Sequence, residues 1–375
     1  MNSVLSDIRY ALRGFRKDPG FVVLAMAALG LGIGAVTTIF SVIQNVLLDP
    51  FAYAAADRLM AIDIHDLDSD RGGRGSFGPA EFLDYKNRNH VFEAVAGATH
   101  QDVLYRTGEG TQQFDGAEIT PGTFEMLGMD ALLGRGLTRD DAKPDAPPVF
   151  VMSYKMWAKS FQLDPNILSR TFVLNNEART LVGIMPPRFT FMGADLWISR
   201  TPDPASPQAK TRFYWFLGRL KPGITKEKAA ADLQVLAKQL APVYKDLYPK
   251  RFSVRVVPLA EMVVGGFRAT LLILMGAVGM LLLIACGNVA NMLLARATAR
   301  EKEIAVRVSM GATRWRLIQQ FLTESMLLAV AEALLGCGIA WAGIRILIPN
   351  LPPNTIPDEA VIRLNPQVLL FTLAV

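Results

Sequence analysis

ARATAREKEIAVRVSMGATRWRLIQQFLTES, residues 295–325, places a basic amphipathic segment directly between two apolar runs long enough to cross a membrane. The run before it, Ala269 to Ala295, holds no charge over 27 residues, and the run after it, Phe321 to Ile348, carries only Glu324, Glu332 and Arg345. A bilayer-spanning helix needs about 20 apolar residues. Another uncharged run of 29 residues extends from Gly20 to Leu48, and a fourth begins at Pro366 as PQVLLFTLAV. Ten residues rise only about 15 Å as a helix, half the hydrocarbon thickness, so the chain is expected to be a fragment. Composition agrees with a membrane class, at 51% hydrophobic, 19% charged and a mean hydropathy of +0.26.

Lys and Arg accumulate on the cytoplasmic flanks of spans because translocating them is unfavourable. Arg9, Arg13, Arg16 and Lys17 precede the first run, and Arg296, Arg300, Lys302, Arg307, Arg314 and Arg316 lie between the second and third. Both segments therefore belong inside. Residues 49–266 hold 26 Lys/Arg and 26 Asp/Glu, so this stretch is neutral and is expected outside as a folded domain. A charge-balanced domain gives no support for a nucleic-acid partner, and anionic lipid explains the basic flanks. A cleaved signal peptide ending near Ala54-Ala55-Ala56 is the rival reading of the N-terminus. The long apolar core argues against it, as do Val4, Leu5, Ile8, Leu12 and Phe15 at helical spacing, which read as an interfacial helix.

Strand-like and helix-like pieces alternate through the outer domain, which reads as α+β. Arg58–Ile64 reads as a strand at a sheet edge, Gly78–Val95 and Lys226–Tyr244 as helices, and Thr171–Leu174, Thr180–Ile184 and Phe252–Val257 as strands. Breakers at Lys143–Pro148 and Thr201–Pro207 mark loops or lobe boundaries. Cys286 and Cys337, the two cysteines, fall in apolar runs, so the outer domain folds without a disulfide.

No GxxxxGK[ST] loop occurs, so nothing cradles ATP phosphates. The histidines, His65, His90 and His100, are scattered, and no nucleophile elbow or metal-spaced cluster is present. Neither catalysis nor a cofactor or metal is expected. In segment 296–320, an apolar stripe through Ile304, Val308, Trp315 and Ile318 flanked by Arg300, Glu303, Arg307 and Arg314 fits a docking helix and a membrane-surface helix equally. Within the spans, Gly30 and Gly34 have the spacing of a packing seam, Gly276 and Gly279 also allow close approach, and Asn288 and Asn291 call for hydrogen bonds to another helix or to water. Glu332 falls near the midplane, where it is either protonated or faces a partner in the bundle.

The chain resembles permeases of the MacB/FtsX type, and specifically their acidobacterial duplicated orphan permease branch. The resemblance rests on DIRYALRGFRKDPGF, LGIGAVTTIFSVIQNVLL, FGPAEFLDYK, LGRGLT, VMSYKMWAKSF, VGIMPPRFTF, LGRLKPGIT and ACGNVANMLLARATAREKEIAVRVSMGATRWRLIQQFLTES, in this order. DPFAYAAADRL departs from the proline-rich pattern usual after the first span. The resemblance implies an α-helical integral membrane protein with an inserted α+β MacB-like periplasmic core domain, in the cell inner membrane. It implies a cytoplasmic helix over 1–20, spans over 21–48, 267–295 and 321–348, the periplasmic domain over 49–266, a coupling helix over 296–320, a loop over 349–365 and the start of a span over 366–375. It also implies a separate ABC ATPase that docks on Arg300, Glu303, Arg307 and Gly311, a second permease copy in the same chain or as a homodimer, and a periplasmic partner; full-length members of the branch carry two such units, which would make this chain the N-terminal half. The alternative function is a membrane-anchored scaffold or signalling protein that needs no ATPase.

Overall fold

The computed structural model describes residues 9, 13, 15, 16, 19–49, 51–69, 73–108, 110–299, 306, 309, 314–347 and 366–374. The described residues form two units, one of Asp49–Gly266 and the other of the residues before and after that stretch.

The first unit is an α/β domain around one sheet. Its elements in chain order are β1 (Leu59–Asp66), β2 (Ser76–Phe77), β3 (Phe92–Thr107), β4 (Gly110–Ile119), β5 (Leu133–Gly134), β6 (Val149–Met152), β7 (Thr171–Leu174), β8 (Glu177–Ile184), β9 (Leu196–Ser199), β10 (Tyr214–Leu220) and β11 (Phe252–Pro258). The strands run in the order β11-β1-β10-β3-β4-β9-β6-β8-β5, with β2 on β10 and β7 bridging β3 and β8. Most pairs are antiparallel, but β4 with β9 and β6 with β8 are parallel. β1 is not an edge, as the sequence reading had it; it lies between β11 and β10. Leu59, Met60, Ala61 and Ile62 are buried consecutively, the pattern of a strand covered on both faces.

Numbering helices along the whole chain, the first apolar helix is α1 (Pro19–Ile43), and the domain contributes α2 (Pro79–Arg88), α3 (Thr123–Leu127), α4 (Tyr154–Ser160) and α5 (Lys226–Leu240). The helix expected over Gly78–Val95 stops at Arg88, because Asn89 closes it. Its Nδ2 donates to the carbonyls of Tyr85 and Lys86 at 2.9 Å each, and its Oδ1 accepts the Phe92 N–H at 2.9 Å, turning the chain into β3. β3 then runs for 16 residues and forms with β4 a hairpin in continuous register from Ala98↔Ile119 to Thr107↔Gly110. α5 begins at the Thr225 cap, whose hydroxyl accepts the Lys228 N–H at 3.3 Å, and ends four residues short of Tyr244, ahead of Pro242.

Three apolar clusters stabilise the domain. One gathers Phe77, Phe82, Tyr85, Phe216 and the inner face of α5. A second joins Phe150, Met156, Phe172, Leu181 and Leu196 on the β6 to β9 side. A third, around Phe124, Phe189, Trp197 and Leu259, lies between them in the sheet order. The expected lobes therefore share a single sheet.

The other unit is helical. Besides α1 it contains most of α6 (Leu259–Ala299), together with α7 (Arg314–Leu347) and α8 (Pro366–Ala374). Three stretches are long and apolar enough to cross a membrane, Pro19–Leu48, Leu259–Ala295 and Ile318–Ile346. α6 starts eight residues earlier than the span read from sequence, directly after β11, and α7 begins at Arg314, inside the segment read as coupling helix. Helical geometry satisfies the backbone within these elements, so apolar runs flanked by capped or charged ends continue as helix past the hydrophobic boundary.

α1 and α7 meet through glycines. A Cβ on Gly30 would lie 2.6 Å from Leu335 Cδ2, and one on Gly34 would lie 2.8 Å from Ile339 Cγ2 and 3.1 Å from the Gly336 carbonyl oxygen. The backbones are in near contact, as a small-xxx-small seam allows. Gly34→Leu is expected to cost about 1–3 kcal/mol by overpacking, lowering the melting temperature of the detergent-solubilised chain; an unchanged melt would refute the seam.

Candidate functional site

The residues expected to engage an ATPase, Arg300, Glu303, Arg307 and Gly311, lie outside the described residues, and so does the helix expected over residues 1–20 apart from positions 9, 13, 15, 16, 19 and 20. Within the coupling segment, residues 296–299, 306, 309 and 314–320 are described: Val306 and Ser309 are helical and exposed, and the Ser309 hydroxyl donates to the Val306 carbonyl at 2.7 Å. At the start of α7, Trp315, Ile318, Phe321 and Leu322 are exposed. Beside them a cavity of about 170 Å³ is lined by Phe15, Phe21, Leu293, Phe321, Glu324 and Leu328.

The residues expected within the membrane separate into two groups. Gly30, Gly34 and Glu332 are buried, all on the α1–α7 side. Asn288 and Asn291 of α6 are exposed, and Gly276 and Gly279 have nothing within 4 Å of an added Cβ, so no close helix approach occurs at them among the described residues. α1 carries a polar stripe that sequence reading passed over. Thr37 Oγ1 and Thr372 Oγ1 are 3.0 Å apart, Phe40 stacks on Phe371 at a 4.0 Å centroid separation, and Gln44 Nε2 donates to Gln367 Oε1 at 3.0 Å. Thr38, Ser41 and Asn45 bond back to the carbonyls of Gly34, Thr37 and Ser41, at 2.7 Å each. Each of these polar side chains thereby makes a hydrogen bond within or between helices.

Two buried carboxylates organise the domain, and neither stood out in the sequence. Glu81, 1% exposed in the first turn of α2, receives both guanidinium arms of Arg74 at 2.8 and 2.9 Å. Arg74 also donates to the Ser76 carbonyl and lies over the rings of Phe77 and Tyr248, at 5.0 and 5.4 Å. Burial opposes the charge on Arg74, but Glu81 more than restores it and holds the guanidinium above its ordinary range. Burial likewise pushes the hydrogen-bonded phenols of Tyr85 and Tyr248 well above theirs. Glu118 is 1% exposed and ion-paired with Arg200 and Arg212 at 2.9 Å each, which ties the proline-rich stretch between them to β4.

Asp141, in the loop after β5, is largely enclosed, its side chain 9% exposed. Arg135 grips it with contacts of 2.6 and 2.8 Å, and the Thr138 N–H and hydroxyl donate to it at 2.7 and 2.9 Å. Burial would raise its carboxyl, but Arg135 and Thr138 hold it below the usual range. A depressed folded-state value means that this stabilisation is present above the unfolded value and is lost as pH falls through the folded one. Asp141→Asn is expected to cost about 1 kcal/mol at pH 7, the scale of a partly exposed pair. In thermal melts from pH 7 downward, the gap to the unsubstituted chain is expected to close at acid pH; a pH-independent gap would contradict this role.

Among the described residues no group of His, Cys, Asp and Glu is placed to hold a metal. The arrangement is an α/β domain inserted in the chain between helices long and apolar enough to cross a membrane. A model of the MacB-like periplasmic core domain matches residues 22–236, and one of the FtsX-like permease C-terminal domain matches residues 275–375. The first match covers more than half of the chain, and the chain belongs to the MacB-like periplasmic core domain family, joined to an FtsX-like permease domain. It is 31% identical over 123 residues to the uncharacterized ABC transporter permease YknZ of Bacillus subtilis, covering 32% of this chain and 31% of that protein. It is 27% identical over 227 residues to the macrolide export ATP-binding/permease protein MacB of Neisseria meningitidis, covering 58% and 34%. The chain spans about a third of the length of these relatives. The periplasmic region of MacB from Actinobacillus actinomycetemcomitans aligns at a TM-score of 0.42 with 12% identity, over 61% of this chain and 97% of that one.

Proposed function

We propose that this chain is a multi-pass inner-membrane permease unit of the duplicated branch, which carries no catalytic step itself and couples ATP hydrolysis by a separate ABC ATPase to movement of its periplasmic domain. One observation carries the reading: a folded, charge-balanced domain, Asp49–Gly266, is inserted between apolar helices whose opposite ends are flanked by basic segments. That distribution favours the domain outside and the basic segments inside. α6 supports coupling, because it runs as one helix of 41 residues from the end of β11 to Ala299, at the edge of the basic segment. A rigid helix transmits displacement along its axis, where a loop would absorb it. The lipid bilayer covers the exposed apolar faces, and a second permease copy, in the same chain or as a homodimer, completes the transporter.

The test is a photoreactive residue at Val306, which is 56% exposed, in the full chain in native membranes, with mass spectrometry of the adducts. An ABC ATPase is expected among them, and charge reversal by Arg300→Glu with Arg307→Glu is expected to lower its recovery at least tenfold while alkaline extraction shows unchanged insertion. Recovery of lipid alone, or ATPase recovery indifferent to charge reversal, overturns the coupling role and favours an unpowered scaffold.

A further inference from the structure

Glu332 lies midway along α7 and is 4% exposed, and its Oε1 is buried with no hydrogen-bond partner among the described residues. Neighbours on the same helix face fix where it sits. Leu328, one turn earlier, packs with Ala25 of α1; Leu335 and Gly336, one turn later, meet Gly30 and Ile33. Positions spaced by three and four residues share a face, so the carboxyl occupies the seam between α1 and α7.

An ionised carboxylate in such a place needs a cation or several donors. Among the described residues, the helices of this unit supply neither. α1 has no charged residue from Gly20 to Leu48, α6 has none from Ala269 to Ala295, and α8 has none. Cys286 of α6 is exposed. On α7 itself, Glu324 has the same sign, Cys337 is a thiol, and Arg345 is 13 residues away, about 20 Å along the helix. The Arg345 guanidinium is moreover stacked on Trp341 at 4.4 Å. The hydroxyls and amides of α1 begin at Thr37, past Gly34, and are occupied by α1 carbonyls or by α8.

We propose that Glu332 is an intramembrane proton-binding site: its carboxyl carries a proton while α1 and α7 are closed on each other and releases it to water when they part. In the release step the O–H bond breaks, the electron pair stays on the carboxylate oxygen and water accepts the proton; closure reverses it. The site thus links helix separation to proton exchange, and a cycle that opens this seam would take up and release one proton per chain. The proposal rests on α1 and α7 spanning the bilayer, which alkaline extraction of membranes tests separately.

The deciding experiment is infrared difference spectroscopy of the full chain in lipid bilayers at pH 7, comparing it with Glu332→Gln in ordinary and heavy water. A deuterium-sensitive carbonyl stretch of a protonated acid, present in the unsubstituted chain and absent from Glu332→Gln, is the expected result. Glutamine keeps shape and neutrality, so its insertion and melt should match the parent. Gly34→Leu, which forces the seam apart, is expected to replace the protonated band by carboxylate bands. A carboxylate signature for Glu332 in the closed seam overturns the proton site, and a protonated band that persists in inserted Gly34→Leu overturns its link to helix separation.

Discussion

Glu81→Ala is expected to lose about 3–5 kcal/mol, the range for stripping one partner from a buried ion pair. The loss follows from what remains, because Arg74, 23% exposed and held over Phe77 and Tyr248, would keep its charge with no acceptor for two of its donors. Domains of this size hold about 5–15 kcal/mol in total, so the variant should unfold at a markedly lower denaturant concentration, read by tryptophan fluorescence of the full chain. Arg74→Met combined with Glu81→Leu removes both charges together and should recover most of the loss. A single variant within 1 kcal/mol of the parent would show that the pair is not needed.

Gly183→Ala should be comparably damaging for a different reason. β5 pairs with β8 through Leu133↔Ile184 and Gly134↔Gly183, and there the two backbones touch. A methyl group at Gly183 would collide with the carbonyl oxygen of Arg135, and one at Gly134 with that of Val182, where φ is +71° as well. Overpacking typically costs about 1–3 kcal/mol and more where the obstacle is backbone, which cannot rotate away. The expected result is release of β5 together with the Arg135–Asp141 loop that follows it, seen as new protease cleavage between residues 133 and 141. An intact digestion pattern would mean that the strands can separate at no cost. Both glycines fall in stretches quoted for the family resemblance, LGRGLT and VGIMPPRFTF, and this contact gives those strings a physical reason.

The long apolar helices were readable because an uncharged run of 27 or 29 residues has few other uses, and Thr171–Leu174 was readable because its β-prone residues are bounded by turns. The β3–β4 hairpin was not, because Phe92–Val95 continues an apolar pattern that Gly78–Arg88 had begun as helix, and the Asn89 cap that divides them is one unremarked residue. β1 was placed at an edge because propensity reports strand character but not what covers it. The buried acids were invisible for a related reason: Glu81, Glu118 and Asp141 look like any surface carboxylate until the fold brings Arg74, Arg200, Arg212 and Arg135 to them. Local spacing reported the glycines of α1, but the polar stripe gains its meaning only from residues more than 300 positions away.

That stripe makes α1 and α8 behave as a ratchet rather than a bearing. Thr37 with Thr372, Phe40 with Phe371 and Gln44 with Gln367 are successive contacts, engaged in antiparallel order. A slide of a few ångströms would break the Gln44–Gln367 amide pair and the Phe40–Phe371 stack together, and an amide that loses its partner in hydrocarbon is costly. Intermediate registers are therefore disfavoured, and the contact would resist a small pull on α1 and yield to a larger one.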